Sequence, residues 1–389
     1  MDSRPRLIGI SPVAKLKKLV VVVPCFEMGG AERQALNLAK YIHQNKLAHV
    51  EIWSLGPGRI VADEAERLGI PTALFSFNPW LSKWKVGLQV LGFALQLFIR
   101  KVDYLLPYVM YPNLLCCAAS KFGGVKRCLW QQRDEGRDRG PAYLEKFALR
   151  FADGFISNSS AGMSFLAATL GVAQDRCRLI RNGVEVLKPQ VSRYDWRVQH
   201  GFDEGRILVS MVANITSAKD HFTLLKAWKL VVDSIAPENP EPILLLAGSE
   251  GDAVSDVRKV IDDLGLGHAV RLLGQIQDVA SHLNAIDLFV FSSQKEGCPN
   301  AVLEAMGSGL AVVASDIHGT RDALGGDYGF LFEPGNEQEC RRMITTLLSS
   351  PADRGRLGAI NKRRVETLFS TERMCREMVD AIFKNSATL

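Results

Sequence analysis

Apolar residues along the chain fall in short runs separated by stretches with helical spacing. Residues 17–25 hold the run LVVVV. A continuous apolar run of that length predicts a strand buried on both faces, as in a parallel sheet. Further strands are expected at 49–55, 72–77, 103–109, 128–132 and 154–158, with helices at 31–44, 61–68, 86–99 and 114–121. A second series starts at Ile207. Its strands are expected at 207–214, 242–248, 270–274, 287–293, 311–315 and 328–332, with helices at 222–232, 254–264 and over 336–384. This alternation predicts an α/β protein made of two Rossmann-like, doubly wound parallel-sheet domains. Ligands of such sheets sit beyond the carboxyl ends of the strands. The expected limits are a first domain over 1–185, a second over 186–370, and a C-terminal helix over 371–389. Asn182-Gly183 suits a turn with positive φ at the junction, and the charged, irregular stretch 185–205 reads as the linker.

Most of the candidate chemistry lies in one turn. Residues 296–309 read EGCPNAVLEAMGSG, between the strands expected at 287–293 and 311–315. Pro299 and Asn300 open a helix, where proline costs little, and Gly307 and Gly309 close it. Glu296 then lies on the loop and Glu304 in the second helical turn. A helix start offers amide groups and a partial positive charge to a phosphate. A carboxylate one turn in can accept two hydrogen bonds from a sugar diol, each contributing about 1.5–3 kcal/mol. The plainer reading is a helix cap with two solvated glutamates. Gly29 and Gly30 sit at a similar strand-to-helix turn, which can bring backbone amides against a donor's phosphate, although the sequence there is not the GxGxxG of dinucleotide sites.

Two other segments have a double reading. Residues 131–141, QQRDEGRDRGP, form a charged loop that recognises an acceptor through Arg133, Asp134 and Arg137, or else a solvated surface loop. In residues 78–101, Trp80 and Trp84 interleave with Lys83 and Lys85 ahead of an apolar helix. That pattern docks on a membrane surface, or belongs to a core helix with one wet end.

The totals narrow the field. The chain has 389 residues, which suits two domains of ordinary size. A formal charge of +5 is too weak to argue for nucleic acid and suits an anionic donor or an anionic membrane. Eight scattered cysteines form no CxxC pair, so no zinc or disulfide framework shows and a reducing cytoplasm is the expected home. No apolar run reaches about 18 residues, so no transmembrane helix is expected. The seven histidines form no HExxH, and neither GxSxG nor a P-loop is present. His221 reads as a surface histidine at a helix start. With no Asp-x-Asp and no ligand spacing, a metal-independent reaction without cofactor is expected.

The E-x7-E stretch over 296–313 resembles the retaining glycosyltransferases of family 4, whose signature runs EGxPNxxLEAMAxGxPVV and whose fold is GT-B. The GGAER at Gly29–Gly30 and the NGV at 182–184 are also common there. The resemblance implies two lobes facing a central cleft, with the last helix packing back on the first domain. It implies a nucleotide-diphosphate sugar as donor, with Glu296 and Lys219 as the catalytic pair of candidates. Glu296 would touch the transferred sugar and Glu304 would hold the ribose hydroxyls. Lys219 matches a lysine that meets the donor diphosphate, and it would stabilise the leaving oxygens together with the helix start at Pro299, Asn300 and Ala301. Gly297 belongs to the same turn, and Gly274 would border the base. Asn214 stands where an arginine is usual, and 108–111 has Tyr108 and Tyr111 where many relatives carry a histidine, so no histidine role is assigned. Retention of anomeric configuration is likewise implied by the resemblance alone. The acceptor would be a glycan or lipid-linked precursor of cell-surface polysaccharide, met in the cytoplasm or peripherally at the inner face of the membrane. A nucleotide-sugar 2-epimerase of the same fold, or a silent nucleotide- or glycan-binding partner, is the alternative.

Overall fold

A computed structural model of the chain describes residues 16–134, 136, 139–186, 188–236 and 240–384. Two sheets organise it. The first contains β1 (Lys18–Val23), β2 (His49–Ser54), β3 (Thr72–Leu74), β4 (Tyr104–Pro107), β5 (Arg127–Gln132), β6 (Gly154–Ser157) and β7 (Cys177–Leu179), in the order β3-β2-β1-β4-β5-β6-β7. The second contains β8 (Leu208–Val212), β9 (Ile243–Ala247), β10 (Val270–Gly274), β11 (Leu288–Phe291), β12 (Val312–Ser315) and β13 (Leu331–Phe332), in the order β10-β9-β8-β11-β12-β13. Every pairing in the second sheet is parallel. Burial explains the composition: Leu19 to Val23 of β1 and Leu288 to Val290 of β11 are fully enclosed, so no polar face alternates with the apolar one. The chain falls into two compact units, one of residues 1–130 and 140–154, the other of 131–139 and 155–389.

In the second sheet the chain starts at β8, winds outward to β9 and β10, then returns to the other side for β11 to β13. The order therefore reverses between β8 and β11. At such a switch point the two following connections leave in opposite directions and open a crevice at the strand ends.

The expected linker is built differently from its reading. Within 185–205 a helix runs Arg193–Gln199, with Trp196 and Arg197 buried. It has no apolar stripe; an arginine anchors it. Arg197 donates to the carbonyls of Ala285, Glu204 and Arg206 and pairs with Asp287 Oδ2 at 2.8 Å. Asp287 also accepts from Arg193 at 2.6 Å and from the Leu208 amide at 2.8 Å. These bonds fasten the segment to the starts of β8 and β11. The junction also departs from expectation. Neither Asn182 nor Gly183 has positive φ. Gly183 is required because a Cβ there would come within 2.6 Å of Thr371 Cα, at the start of the helix Thr371–Phe383. Just ahead of that helix the Phe369 carbonyl accepts from the Val184 amide at 2.7 Å, and within it Arg373 donates to the Arg181 carbonyl.

Under β8, His282 is fully buried against Ser210. Ser210 spends its hydroxyl proton on the Leu245 carbonyl, so it accepts from His282 Nε2. Nδ1 is then bare and has no partner. A second proton would sit in an apolar site, and burial pushes the imidazole down from 6.5 to about 4. A base depressed in the folded state contributes stability that is complete above its unfolded value and lost as pH falls through the folded one. Between pH 7 and pH 4 the wild type should therefore lose about 3 kcal/mol more than His282→Gln in urea unfolding. Equal losses in both proteins would contradict this placement of the proton.

Candidate active site

Lys219 lies on the connection after β8 and Glu296 on the connection after β11, so the switch point brings them to the same place. A single antiparallel bridge joins Lys219 to Ser293, and the Asp220 amide donates to the Ser292 carbonyl at 3.2 Å. These contacts fix the lysine's backbone against the end of β11. The Lys219 ammonium then pairs with Glu296 Oε1, which also accepts from Ser293 Oγ at 3.3 Å. The ammonium lies 5.1 Å from the Phe291 ring centre, over its face, an attractive placement for a cation. Both side chains of the pair are about one-fifth exposed, so a ligand can reach them.

After Lys219, Asp220 caps the helix His221–Val232 by accepting from the Thr223 amide. His221 is not the surface residue its position suggested. It is buried, Nδ1 has no partner, and burial pushes its imidazole down. The enclosed ring sits at the root of the lysine loop, two residues after Lys219.

After Glu296, the chain enters the helix Asn300–Gly307 through Pro299, with Gly309 at φ +81° just past its end. Helices of the same unit that begin at His221, Val279, Glu337, Pro351 and Thr371 each carry a side-chain cap; this one has none. Pro299 at the cap position makes no side-chain hydrogen bond to the amides that follow it, which suits an incoming anion. Glu304 is half-buried one turn further on. Gly297 and Gly319 make the turn possible: a Cβ on Gly297 would meet the Arg133 carbonyl at 2.6 Å, and one on Gly319 the Glu296 carbonyl at 2.4 Å.

The neighbouring strand ends converge too. Gly248 leaves no room for a Cβ beside the Ala213 carbonyl, its amide donates to the Gly274 carbonyl at 2.8 Å, and Asn214 Oδ1 accepts from the Ser249 amide at 3.3 Å. Asn214, Gly248 and Gly274 thus close the carboxyl edge of β8, β9 and β10. The exposed Asn214 amide brings no charge to the position.

A network missed in the sequence ties the turn in place. Asn182, read only as a turn residue, is buried. Its Nδ2 donates to Asn300 Oδ1 at 3.0 Å and its Oδ1 accepts from Arg133 Nη1 at 2.9 Å and from Asn158 Nδ2 at 3.3 Å. Arg133 is thereby held on Asn182, while Asp134 Oδ1 accepts from Gln132 and from the Gly136 amide. Arg137 lies outside the described residues. Spacing alone gave no signal for this network, because its members come from four separate connections.

In the other unit, Gly29 precedes the helix Gly30–Gln44. The buried Glu32 carboxylate accepts from the amides of Gly29 and Glu32, and its burial raises its pKa. Among the described residues no three of His, Cys, Asp and Glu are grouped as metal ligands would be.

Two doubly wound sheets, with a lysine–glutamate pair and an uncapped helix start at the switch point of the second, define an α/β protein of the GT-B glycosyltransferase type. The family description "Glycosyltransferase Family 4" matches residues 28–186 and "Glycosyl transferases group 1" matches residues 192–364, and the chain belongs to this family. It is 21% identical over 353 residues, 86% of its length and 90% of the relative's, to the N-acetylgalactosamine-N,N'-diacetylbacillosaminyl-diphospho-undecaprenol 4-alpha-N-acetylgalactosaminyltransferase of Campylobacter jejuni. It is 26% identical to the UDP-Gal:alpha-D-GlcNAc-diphosphoundecaprenol alpha-1,3-galactosyltransferase of Escherichia coli, over 49% of this chain and only 50% of that one. Its fold matches a Rickettsia africae glycosyltransferase at TM-score 0.81 (19% identity, 95% of this chain, 99% of the other). It matches Anabaena HepE, solved with UDP and glucose, at TM-score 0.79 (19% identity, 94% and 99%).

Removing the hub of the network tests its role. Asn182→Ala takes one partner each from buried Asn158 and from half-buried Arg133 and Asn300, so the protein should lose about 1–3 kcal/mol in urea unfolding. A change below about 0.5 kcal/mol, the range of ordinary surface substitutions, would mean that the turn is held by other contacts.

Proposed function

We propose that the chain is a retaining, metal-independent glycosyltransferase that moves a sugar from a nucleotide-diphosphate sugar to a glycan or lipid-linked acceptor in cell-surface polysaccharide biosynthesis. The observation that carries this reading is the Lys219–Glu296 pair at the β8/β11 switch point. The lipid-linked substrates named for the Escherichia coli and Campylobacter jejuni relatives support the acceptor class. The Anabaena structure, which holds UDP and glucose, makes UDP-sugars the first donors to test.

In this mechanism the resting pair is a placeholder. The donor diphosphate carries more charge than one carboxylate and takes the Lys219 ammonium. Glu296, released from the lysine but still held by Ser293, turns to the hydroxyls of the sugar. As the bond between the anomeric carbon and the diphosphate oxygen breaks, charge grows on the leaving oxygens. Lys219 and the first amides of the helix Asn300–Gly307 meet that charge with groups already in place, which lowers the barrier. The acceptor hydroxyl forms the new bond to the anomeric carbon and passes its proton to the departing diphosphate oxygen. Glu304 accepts from the two ribose hydroxyls and sets the nucleoside's register.

Thermal-shift screening against UDP-, GDP-, ADP- and TDP-sugars, followed by product analysis with the donor that binds, tests the reading. Binding without turnover of the donor would favour a silent partner, and conversion of the donor sugar without acceptor would favour an epimerase. With the working donor in EDTA, wild type should remain active and Lys219→Ala should turn over about 100-fold more slowly with unchanged folding. A strict manganese requirement, or a wild-type rate in the variant, would contradict the scheme. Glu304→Ala should weaken donor binding by about 1–3 kcal/mol in calorimetry; an unchanged affinity would remove Glu304 from the site.

A further inference from the structure

The helix Lys83–Ile99 of the first unit is apolar on two opposite faces. Val86, Val90, Phe93 and Leu97 are buried. Trp84, Leu88, Leu91, Leu95 and Phe98, spaced four, three, four and three apart, form a second stripe in which each side chain is more than half exposed. A surface helix ordinarily carries charged residues there. This one has no acidic residue at all, and its two lysines sit in its first turn, next to Trp80 and Trp84. The reading of a core helix with one wet end is therefore not what the structure shows: the second face is apolar along its whole length of about 25 Å.

The patch does not end with this helix. Lys83 lies over the Tyr143 ring, 5.2 Å from its centre, and so reaches the helix Ala142–Phe151. At the far end Phe122, 55% exposed, packs on Phe151 at 6.0 Å between ring centres. The second helix sorts its charges. Glu145 is turned inward and accepts from the Gly140 amide, whereas Lys146 and Arg150 are exposed. The result is an apolar stripe bordered by tryptophans and by cations, with the one carboxylate of the two helices buried.

We infer that this face docks on an anionic lipid surface, the helix Lys83–Ile99 lying in the plane of the bilayer with its leucine stripe among the acyl chains and Lys83, Lys85, Lys146 and Arg150 at the headgroups. Apolar side chains at the boundary, with aromatic and basic residues at headgroup level, are what an interfacial helix requires. No described helix is long and apolar enough to cross a membrane, so this one lies on the surface. Sign of charge selects the occupant. A second copy seated on the same face would set these cations against themselves, whereas an anionic leaflet supplies the opposite charge, worth about 1 kcal/mol for each basic residue near it. The inference stands apart from the proposed reaction, since it needs neither donor nor turnover.

Sedimentation of the full chain with vesicles tests it. The protein should pellet with vesicles enriched in phosphatidylglycerol, and less with pure phosphatidylcholine. Lys83→Ala with Lys85→Ala should lower partitioning to the anionic vesicles by about 30-fold. Leu91→Glu with Leu95→Glu, both exposed positions, should abolish it while circular dichroism and melting stay as in wild type. Failure of the wild type to pellet with anionic vesicles would overturn the inference. So would light scattering that shows a dimer dissolved by the leucine substitutions, with no effect of those substitutions on vesicle binding.

Discussion

The candidate site depends on one ion pair, Lys219 with Glu296, and on the chain reversal that creates it. Neither residue is near the other in sequence. Each sits on the connection that leaves one of the two strands flanking the reversal of strand order, and that is where a doubly wound sheet opens toward a ligand. The pair is partly exposed, and ion pairs of that kind contribute about 0–1 kcal/mol to stability. It is therefore easy to exchange. A lysine that holds a carboxylate loosely can pass to a diphosphate, and a carboxylate that keeps a serine partner stays in position after the lysine leaves.

The surroundings are firmer than the pair. Buried His221 beneath the lysine loop, the missing Cβ atoms of Gly297 and Gly319, and the Asn182 hub each fix backbone rather than contribute charge. This division is what preorganisation asks for: the groups that change partners are held on segments that cannot shift. The apolar face of the helix Lys83–Ile99 obeys a different rule, since its stripe is left uncovered by the fold.

Much of this was legible in the sequence. The β–α alternation located the strands, because both faces of each sheet are covered and the runs are nearly continuous. Glu296, Pro299, Asn300 and Gly309 were legible as a strand–turn–helix unit because proline and glycine have positional meaning there. Other features were out of reach. The helix Arg193–Gln199 lacks periodicity because Arg197, not an apolar stripe, anchors it. Gly183 was read for its φ, whereas its role is to admit Thr371. The Lys219–Glu296 contact, the burial of His221 and the reach of Asn182 to Asn300 are long-range, and nothing local announces them. The exposed leucine stripe was hidden for a related reason: a helix apolar all round looks the same in sequence whether it is covered on one face or two.

The most direct test of the exchange is calorimetric binding of UDP, which has a diphosphate but no sugar, to wild type, Lys219→Ala, Glu296→Ala and the double variant. If the carboxylate is a placeholder for the diphosphate, Lys219→Ala weakens UDP binding by about tenfold or more, while Glu296→Ala leaves it unchanged or tightens it. Loss of UDP affinity in Glu296→Ala as large as in Lys219→Ala would show that the glutamate supports the phosphate site, and the placeholder account would be wrong.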